Sequence, residues 1–432
     1  MKKAVLLLLV LAIVVLAVVL TQRDKLPIIS GYAAKVACTN IFSADRSVES
    51  VASTDLNYSF LKYASLDVDQ ASAEVTASVM GLASTTARWK QGFGCSVIDG
   101  KDDYNIRFPL GNTLAVTYPK KVLTPRIETD IQELVEQYSD PTHKTRAIVV
   151  LKGSDILGEA YSPEVTASTP LLGWSMTKSI VNAIIGTMVA DSLLSLDQDN
   201  LFEEWAHDDR KNITLNHLLT MTTGLAWEED YTKAGDATEM LFMAEDAVAT
   251  AIDQPLAHTP GKHWQYSSGT SNLLSALIRQ TIDKDRTYWR VAKDRIFKKV
   301  HMTSAFIEPD ERGTFIMSSF GYATARDWAK FGLLYLNDGV FDGKRILPQG
   351  WVDYTRQLTP ASGTEYGAHF WLNADKATLA DAPEDTYWAS GYQGQYVLII
   401  PSLDIVVVRI GLSDTWPAND FIRELSNKLQ SS

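Results

Sequence analysis

The spacing of hydrophobic positions changes character several times along the chain. It opens with an unbroken apolar run over residues 4–20, preceded by Lys2-Lys3 and followed by Arg23-Asp24-Lys25. Seventeen residues is at the short end for a membrane span and longer than an ordinary signal core. The lysines would hold the N-terminus inside and send the rest of the chain across the membrane. A small-x-small cleavage pattern fits poorly to Ala17-Val18-Val19-Leu20. Residues 1–25 are therefore expected to be a membrane anchor or signal segment, with the remainder outside the cytoplasm, periplasmic if the host is bacterial.

Residues 26–124 carry few strong periodic signals and read as an accessory N-terminal region. The pattern becomes clear from 125 onward. Apolar and acidic residues alternate at helical spacing from Ile127 to Tyr138. Thr145 to Leu151 is a β-branched run that predicts a buried strand. Lys152-Gly153-Ser154-Asp155 predicts a turn, and Ile156 to Tyr161 a second strand. At the other end, Gln395 to Ile400 and Ile405 to Ile410 predict two strands around a Pro401–Asp404 turn, and Phe421 to Leu429 a closing helix. Residues from about 180 to 360 read mostly helical. The simplest packing is an α+β fold: one antiparallel sheet built from both chain ends, flanked by helices, with a mostly helical lobe inserted, all within 125–432.

Composition narrows the function. The chain has 432 residues, 46% hydrophobic and 21% charged, with a formal net charge of −12. That profile supports a large core, and its acidity disfavours nucleic acid as a partner. Cys38 and Cys95 are the two cysteines. In an exported chain they are expected to form a disulfide, closing a loop of nearly sixty residues and stabilising the fold by about 4 kcal/mol in the chain-entropy account. His258 and His263 lack the i, i+4 spacing of a zinc helix, so neither a metal nor another cofactor is expected. His217 is expected to cap or pack the helix it begins.

Three motifs carry chemistry. Ser175-Met176-Thr177-Lys178 precedes an apolar helical pattern through Ile180, Val181, Ile184, Ile185 and Met188. Positions i and i+3 share a helix face, so the Lys178 amine can reach the Ser175 hydroxyl. A serine hydroxyl needs such a base, and a buried lysine can supply it; at a helix start the serine N–H can also face an oxyanion. Tyr266 opens a polar loop before an apolar helix from Leu273 to Ile278, and a phenol beside an ammonium is expected to have its pKa lowered and to carry protons. Ala389-Ser390-Gly391-Tyr392 leads into the strand beginning near Tyr396, where glycine permits close approach by a substrate.

In this order the motifs resemble the serine β-lactamase and penicillin-binding protein superfamily. The segment from Thr214 to Leu225, Ala325–Gly332 and Pro348–Trp351 are similar to its class C β-lactamase-like branch, which includes esterases and 6-aminohexanoate-dimer hydrolases. The resemblance covers about 125 to 432. It implies a β-lactamase/transpeptidase-like fold and a hydrolase that forms an acyl-enzyme on Ser175. Lys178 and Tyr266 would share the proton work, and the backbone N–H groups of Ser175 and Tyr392 would form the oxyanion hole. It also implies substrate-binding roles for Tyr231, Ser268 and Gly391. Two departures stand out. Ser268 occupies the third place of the family's Tyr-x-Asn, and Ala389-Ser390-Gly391 replaces Lys-Thr-Gly without a cation. The missing cation argues against β-lactams and for a small-molecule ester or amide. The alternatives are a penicillin-interacting D-amino-acid peptidase and a non-catalytic binding protein on the same fold. The sequence leaves the oligomeric state open.

Overall fold

A computed structural model describes residues 25–98 and 123–431. The apolar run over 4–20 lies outside the described residues; among those described, no helix is long and apolar enough to cross a membrane.

The first helix, α1 (Leu26–Phe42), packs against a meander of four antiparallel strands, β1 (Ala64–Asp69), β2 (Glu74–Val79), β3 (Ala83–Lys90) and β4 (Gly94–Ile98). This region holds more regular structure than its weak periodicity predicted, for two reasons. Helix α1 is buried on every side from Ser30 to Asn40, so no polar stripe marks its period. The strands alternate Thr, Ser and Ala rather than large apolar residues. Gly31 lies where α1 crosses the chain at Phe242: a Cβ there would stand 2.0 Å from the Phe242 carbonyl oxygen.

Cys38 of α1 and Cys95 of β4 form the expected disulfide. Two buried charge clusters bind this region to the rest of the molecule. Lys35 Nζ lies 3.0 Å from Glu308 Oε2 and donates to the Cys95 carbonyl at 2.7 Å, while the Cys95 N–H donates to Glu308 Oε1 at 2.7 Å. Arg146 makes a bidentate contact with Asp55 at 2.7 and 3.0 Å, and Arg46 reaches the same carboxylate. Tyr32, Trp174, Phe242, Phe320 and Tyr322 share one apolar cluster across the junction.

The second part begins with a short strand, β5 (Thr124–Pro125), then α2 (Thr129–Gln137) and the hairpin β6 (Thr145–Lys152) and β7 (Asp155–Tyr161). Strand β8 (Leu171–Leu172) precedes α3 (Met176–Ala190). Short helices and loops lead to α4 (Ser268–Ile282), followed by β9 (Phe306–Ile307), β10 (Gly321–Ala323) and α5 (Ala325–Leu336). A small hairpin, β11 (Val340–Phe341) and β12 (Lys344–Arg345), precedes β13 (Trp371–Leu372), β14 (Tyr387–Gly391), β15 (Gln395–Ile400), β16 (Ile405–Gly411) and α6 (Ala418–Ser431).

The main sheet runs β13-β14-β15-β16-β6-β7-β5, so β16 from the C-terminal end pairs with β6, Val407 opposite Val150. The continuous apolar runs follow from burial on both faces. Val149, Leu151, Val406 and Val408 join the core under α3 and α5; Ile148, Val150, Ile405 and Val407 join that under α2 and α6. The architecture is the predicted α+β sheet-and-helix arrangement, with one correction. The edge strand β5 runs parallel to β7, so the sheet is not wholly antiparallel. Two residues carry no periodicity that could reveal the pairing.

Candidate active site

The site begins at the start of α3. Trp174 takes a left-handed conformation (φ 48°) immediately before Ser175, which turns the chain from β8 into the helix. Its ring is buried against Tyr32, Phe320 and Tyr392. Ser175 is the N-cap residue and makes no side-chain cap hydrogen bond, which leaves its hydroxyl available to other partners at the positive end of the helix.

Lys178 stands one turn later with its side chain buried. Its Nζ lies 3.0 Å from Ser175 Oγ, 3.0 Å from Ser268 Oγ and 2.9 Å from the Ser318 carbonyl oxygen. Burial lowers its pKa to about 8, against an opposing pull from the Glu229 carboxylate. The three partners differ in what they can give. Ser318 offers a carbonyl, which only accepts. The Ser268 hydroxyl donates its proton to Glu229 Oε1. Ser175 is therefore the partner among the three that can donate a proton to a neutral Lys178 amine.

Tyr266 sits two residues before α4, whose N-cap is Ser267. Its ring lies 4.9 Å from the Lys178 ammonium. The expected lowering of its pKa is overturned: the pKa is raised, chiefly by burial and then by the Glu229 charge, against the smaller effect of Ser175. Lys178 contributes its cation to the ring face, while the hydroxyl is dominated by desolvation. Tyr266 is thus a neutral proton donor and acceptor in the resting site.

Sequence reasoning missed Glu229, although it singled out Tyr231 two residues on. Glu229 accepts hydrogen bonds from the Ser268 N–H at 2.8 Å, the Ser268 hydroxyl, Trp227 Nε1 at 2.5 Å and the Tyr231 hydroxyl at 3.2 Å. Three acids follow Trp227 in a stretch with no helix or strand period, so the sequence holds no signal for which one turns inward. Glu228 and Asp230 instead face Lys233. Tyr231 lies beside the site, its hydroxyl 3.5 Å from Ser268 Oγ and its ring stacked on Tyr392 at 5.2 Å.

The glycine motif ends β14 rather than leading into the strand near Tyr396: Gly391 pairs with Gln395 across a turn formed by Tyr392, Gln393 and Gly394. A Cβ on Gly391 would stand 2.2 Å from the Gly173 carbonyl oxygen, so glycine lets this hairpin close on the turn that carries Ser175. Buried Arg409 holds the hairpin from beneath, donating to the carbonyls of Gln393 at 2.8 Å and Gly394 at 2.7 Å. Gln395 Nε2 donates to the Tyr392 carbonyl at 2.8 Å. The backbone of Tyr392 is thereby fixed beside the start of α3.

The histidines lie apart from this chemistry. His217 completes a capping box with Thr214, its Nδ1 accepting from the Thr214 N–H at 3.1 Å, as expected of a helix cap. The rings of His258 and His263 lie against each other, 4.0 Å apart. His369 is buried between the Leu219 carbonyl and Ser271, and burial lowers its pKa to about 3.

A serine hydroxyl on a helix start, a lysine of lowered pKa and a tyrosine ring against that lysine are the equipment of a serine hydrolase. Residues 131–425 match the sequence profile of the Beta-lactamase family, and the chain belongs to that family. It is a β-lactamase-related hydrolase. It is 22% identical over 303 residues to the 6-aminohexanoate-dimer hydrolase of Paenarthrobacter ureafaciens, covering 64% of this chain and 74% of that protein. Its fold is similar to that of a family VIII carboxylesterase, with 12% identity, a TM-score of 0.58, and 72% and 99% of the two chains covered. A penicillin-binding protein homologue from Caulobacter crescentus superposes with a TM-score of 0.56 at 14% identity, over 72% of this chain and 99% of that one.

Proposed function

We propose that this protein hydrolyses an ester or small amide through an acyl-enzyme on Ser175. In the fraction of molecules whose Lys178 is neutral, the amine accepts the Ser175 proton as the hydroxyl oxygen attacks the substrate carbonyl. The backbone N–H groups of Ser175 and Tyr392 receive the developing oxyanion. The proton returns to the leaving group from Lys178, with the neighbouring Tyr266 to relay it. Water then enters, gives a proton to the same base and releases the acid, and Ser175 recovers its proton.

The observation that carries this reading is the set of partners at Lys178, whose Nζ donates to Ser175 Oγ, Ser268 Oγ and the Ser318 carbonyl. With Ser268 turned toward Glu229 and Ser318 offering a carbonyl, Ser175 is the partner whose hydroxyl can turn its proton to the amine once Lys178, with a pKa of about 8, is neutral. The absence of a cation in Ala389-Ser390-Gly391 favours a substrate without the carboxylate of a β-lactam or a cell-wall peptide. Turnover of p-nitrophenyl acetate by the wild type, lost in Ser175→Ala, tests it; equal turnover by the folded variant refutes it.

The apolar run over 4–20 supports a further proposal, that the chain is tethered to a membrane with the catalytic part outside the cytoplasm. Retention of the full chain in the membrane fraction after alkaline carbonate extraction is the expected result; release into the supernatant refutes the tether.

A further inference from the structure

A cleft of about 280 Å³ opens where α1 and the loop at Tyr58–Leu61 meet the Tyr231–Tyr392 pair of the site. This is at the small end of ligand-sized cavities, which run from about 300 to 1,000 Å³. We propose that this cleft binds an uncharged apolar acyl chain of the substrate; the inference rests on the hydrolase reading and names the substrate class.

Three observations carry it. The walls are aliphatic and aromatic: Ile28, Ile29 and Tyr32 from α1, Phe60 and Leu61 from the loop, and Phe242 opposite. Phe60 remains 57% exposed at the lip, an apolar surface that an occupant would cover. The open surface of the lining is mostly carbon. Of the two lysines that line the cleft, Lys233 is paired with Glu228 and Asp230, and Lys25 stands just before α1. A polar group would give up water over most of this surface, whereas a hydrocarbon loses none.

The position suits a group attached to the reacting carbonyl. Tyr231 and Tyr392 line the cleft with their stacked rings, while the Tyr231 hydroxyl reaches Ser268 and the Tyr392 backbone borders the start of α3. The Trp174 ring, one residue before Ser175, packs on both Tyr32 and Tyr392. An acyl chain on Ser175 would reach α1 by crossing the tyrosine pair. The accessory region would then select substrates.

The test is a p-nitrophenyl ester series from acetate to octanoate with the full chain. Each buried methylene raises kcat/KM by up to about fourfold. The wild type is expected to prefer octanoate over acetate by at least ~30-fold, and Ile29→Trp, which fills the cleft, to reduce that ratio by at least ~tenfold. A flat series in the wild type, or an unchanged ratio in Ile29→Trp, overturns the inference. Calorimetry with octan-1-ol reads the cleft without turnover. Binding by the wild type and its loss in Ile29→Trp support the cleft even if no ester is cleaved, in which case the hydrolase reading fails alone. No binding by the wild type overturns the cleft even if Ser175 is active.

Discussion

Glu229 grips Ser268 by both its backbone N–H and its hydroxyl, and so decides which way the Ser268 proton points. With that proton committed, Ser268 can only accept from Lys178. Family members of the Tyr-x-Asn type carry an amide at this position; here a serine and a carboxylate from a separate loop share the place. Glu229→Gln removes the charge that holds the Lys178 pKa up. The pH–kcat/KM profile is expected to shift to lower pH, with kcat reduced about tenfold at its plateau. An unshifted profile would separate Glu229 from the base.

The base itself predicts the shape of the wild-type profile. In the proposed mechanism neutral Lys178 is the reactive form, and burial lowers its pKa to about 8. Activity should therefore rise about tenfold per pH unit below 8 and level off above it. Initial rates on one ester from pH 5 to 10 read this directly, and Lys178→Ala should lose at least ~10³-fold with the alkaline limb gone.

His369 gives the fold an acid-sensitive point. Burial holds its pKa near 3, below the ordinary 6.5, while the Leu219 hydrogen bond pulls the other way. The unfolded chain thus binds a proton that the native chain does not between those values. This contribution to stability is complete above about 6.5 and is lost as pH falls toward 3, by at most about 1.4 kcal/mol per pH unit. Urea midpoints of the wild type and His369→Asn should converge as pH falls through this window. Parallel curves would contradict the assignment.

The Lys35–Glu308 pair predicts how the accessory region is attached. Both groups are buried, and burial pushes the lysine pKa down and the glutamate pKa up, each opposed by its partner. Removing one partner leaves the other charge uncompensated, so Glu308→Ala should cost about 3–5 kcal/mol in urea unfolding. Glu308→Ala with Lys35→Met should recover part of that loss; failure to recover it would show that the cost lies in the Cys95 N–H and Thr39 contacts instead.

How much could be read from the sequence depended on whether a residue's role was local. Strands β15 and β16 were legible to within a residue because burial on both faces demands continuous apolar runs. Ser175 and Lys178 were legible because a helix fixes i and i+3 on one face. Helix α1 was obscured by its burial on all sides, and β1 to β3 by their small polar side chains. Glu229 was missed because its inward turn is set by contacts with Ser268, thirty-nine residues away, rather than by any local period. The same distance dependence misled the Tyr266 expectation. A neighbouring lysine is visible in the motif, whereas the desolvation that raises the phenol's pKa comes from the whole surrounding wall, including Tyr366 and Trp371.

The central claim is that Ser175 is the nucleophile and Lys178 its base. Intact-mass analysis after reaction with a fluorophosphonate, followed by peptide mapping, tests it most directly. The account predicts one adduct, on Ser175, formed faster above pH 8 than below it and absent in Ser175→Ala. An adduct at another residue, or none on folded wild-type protein, would contradict it.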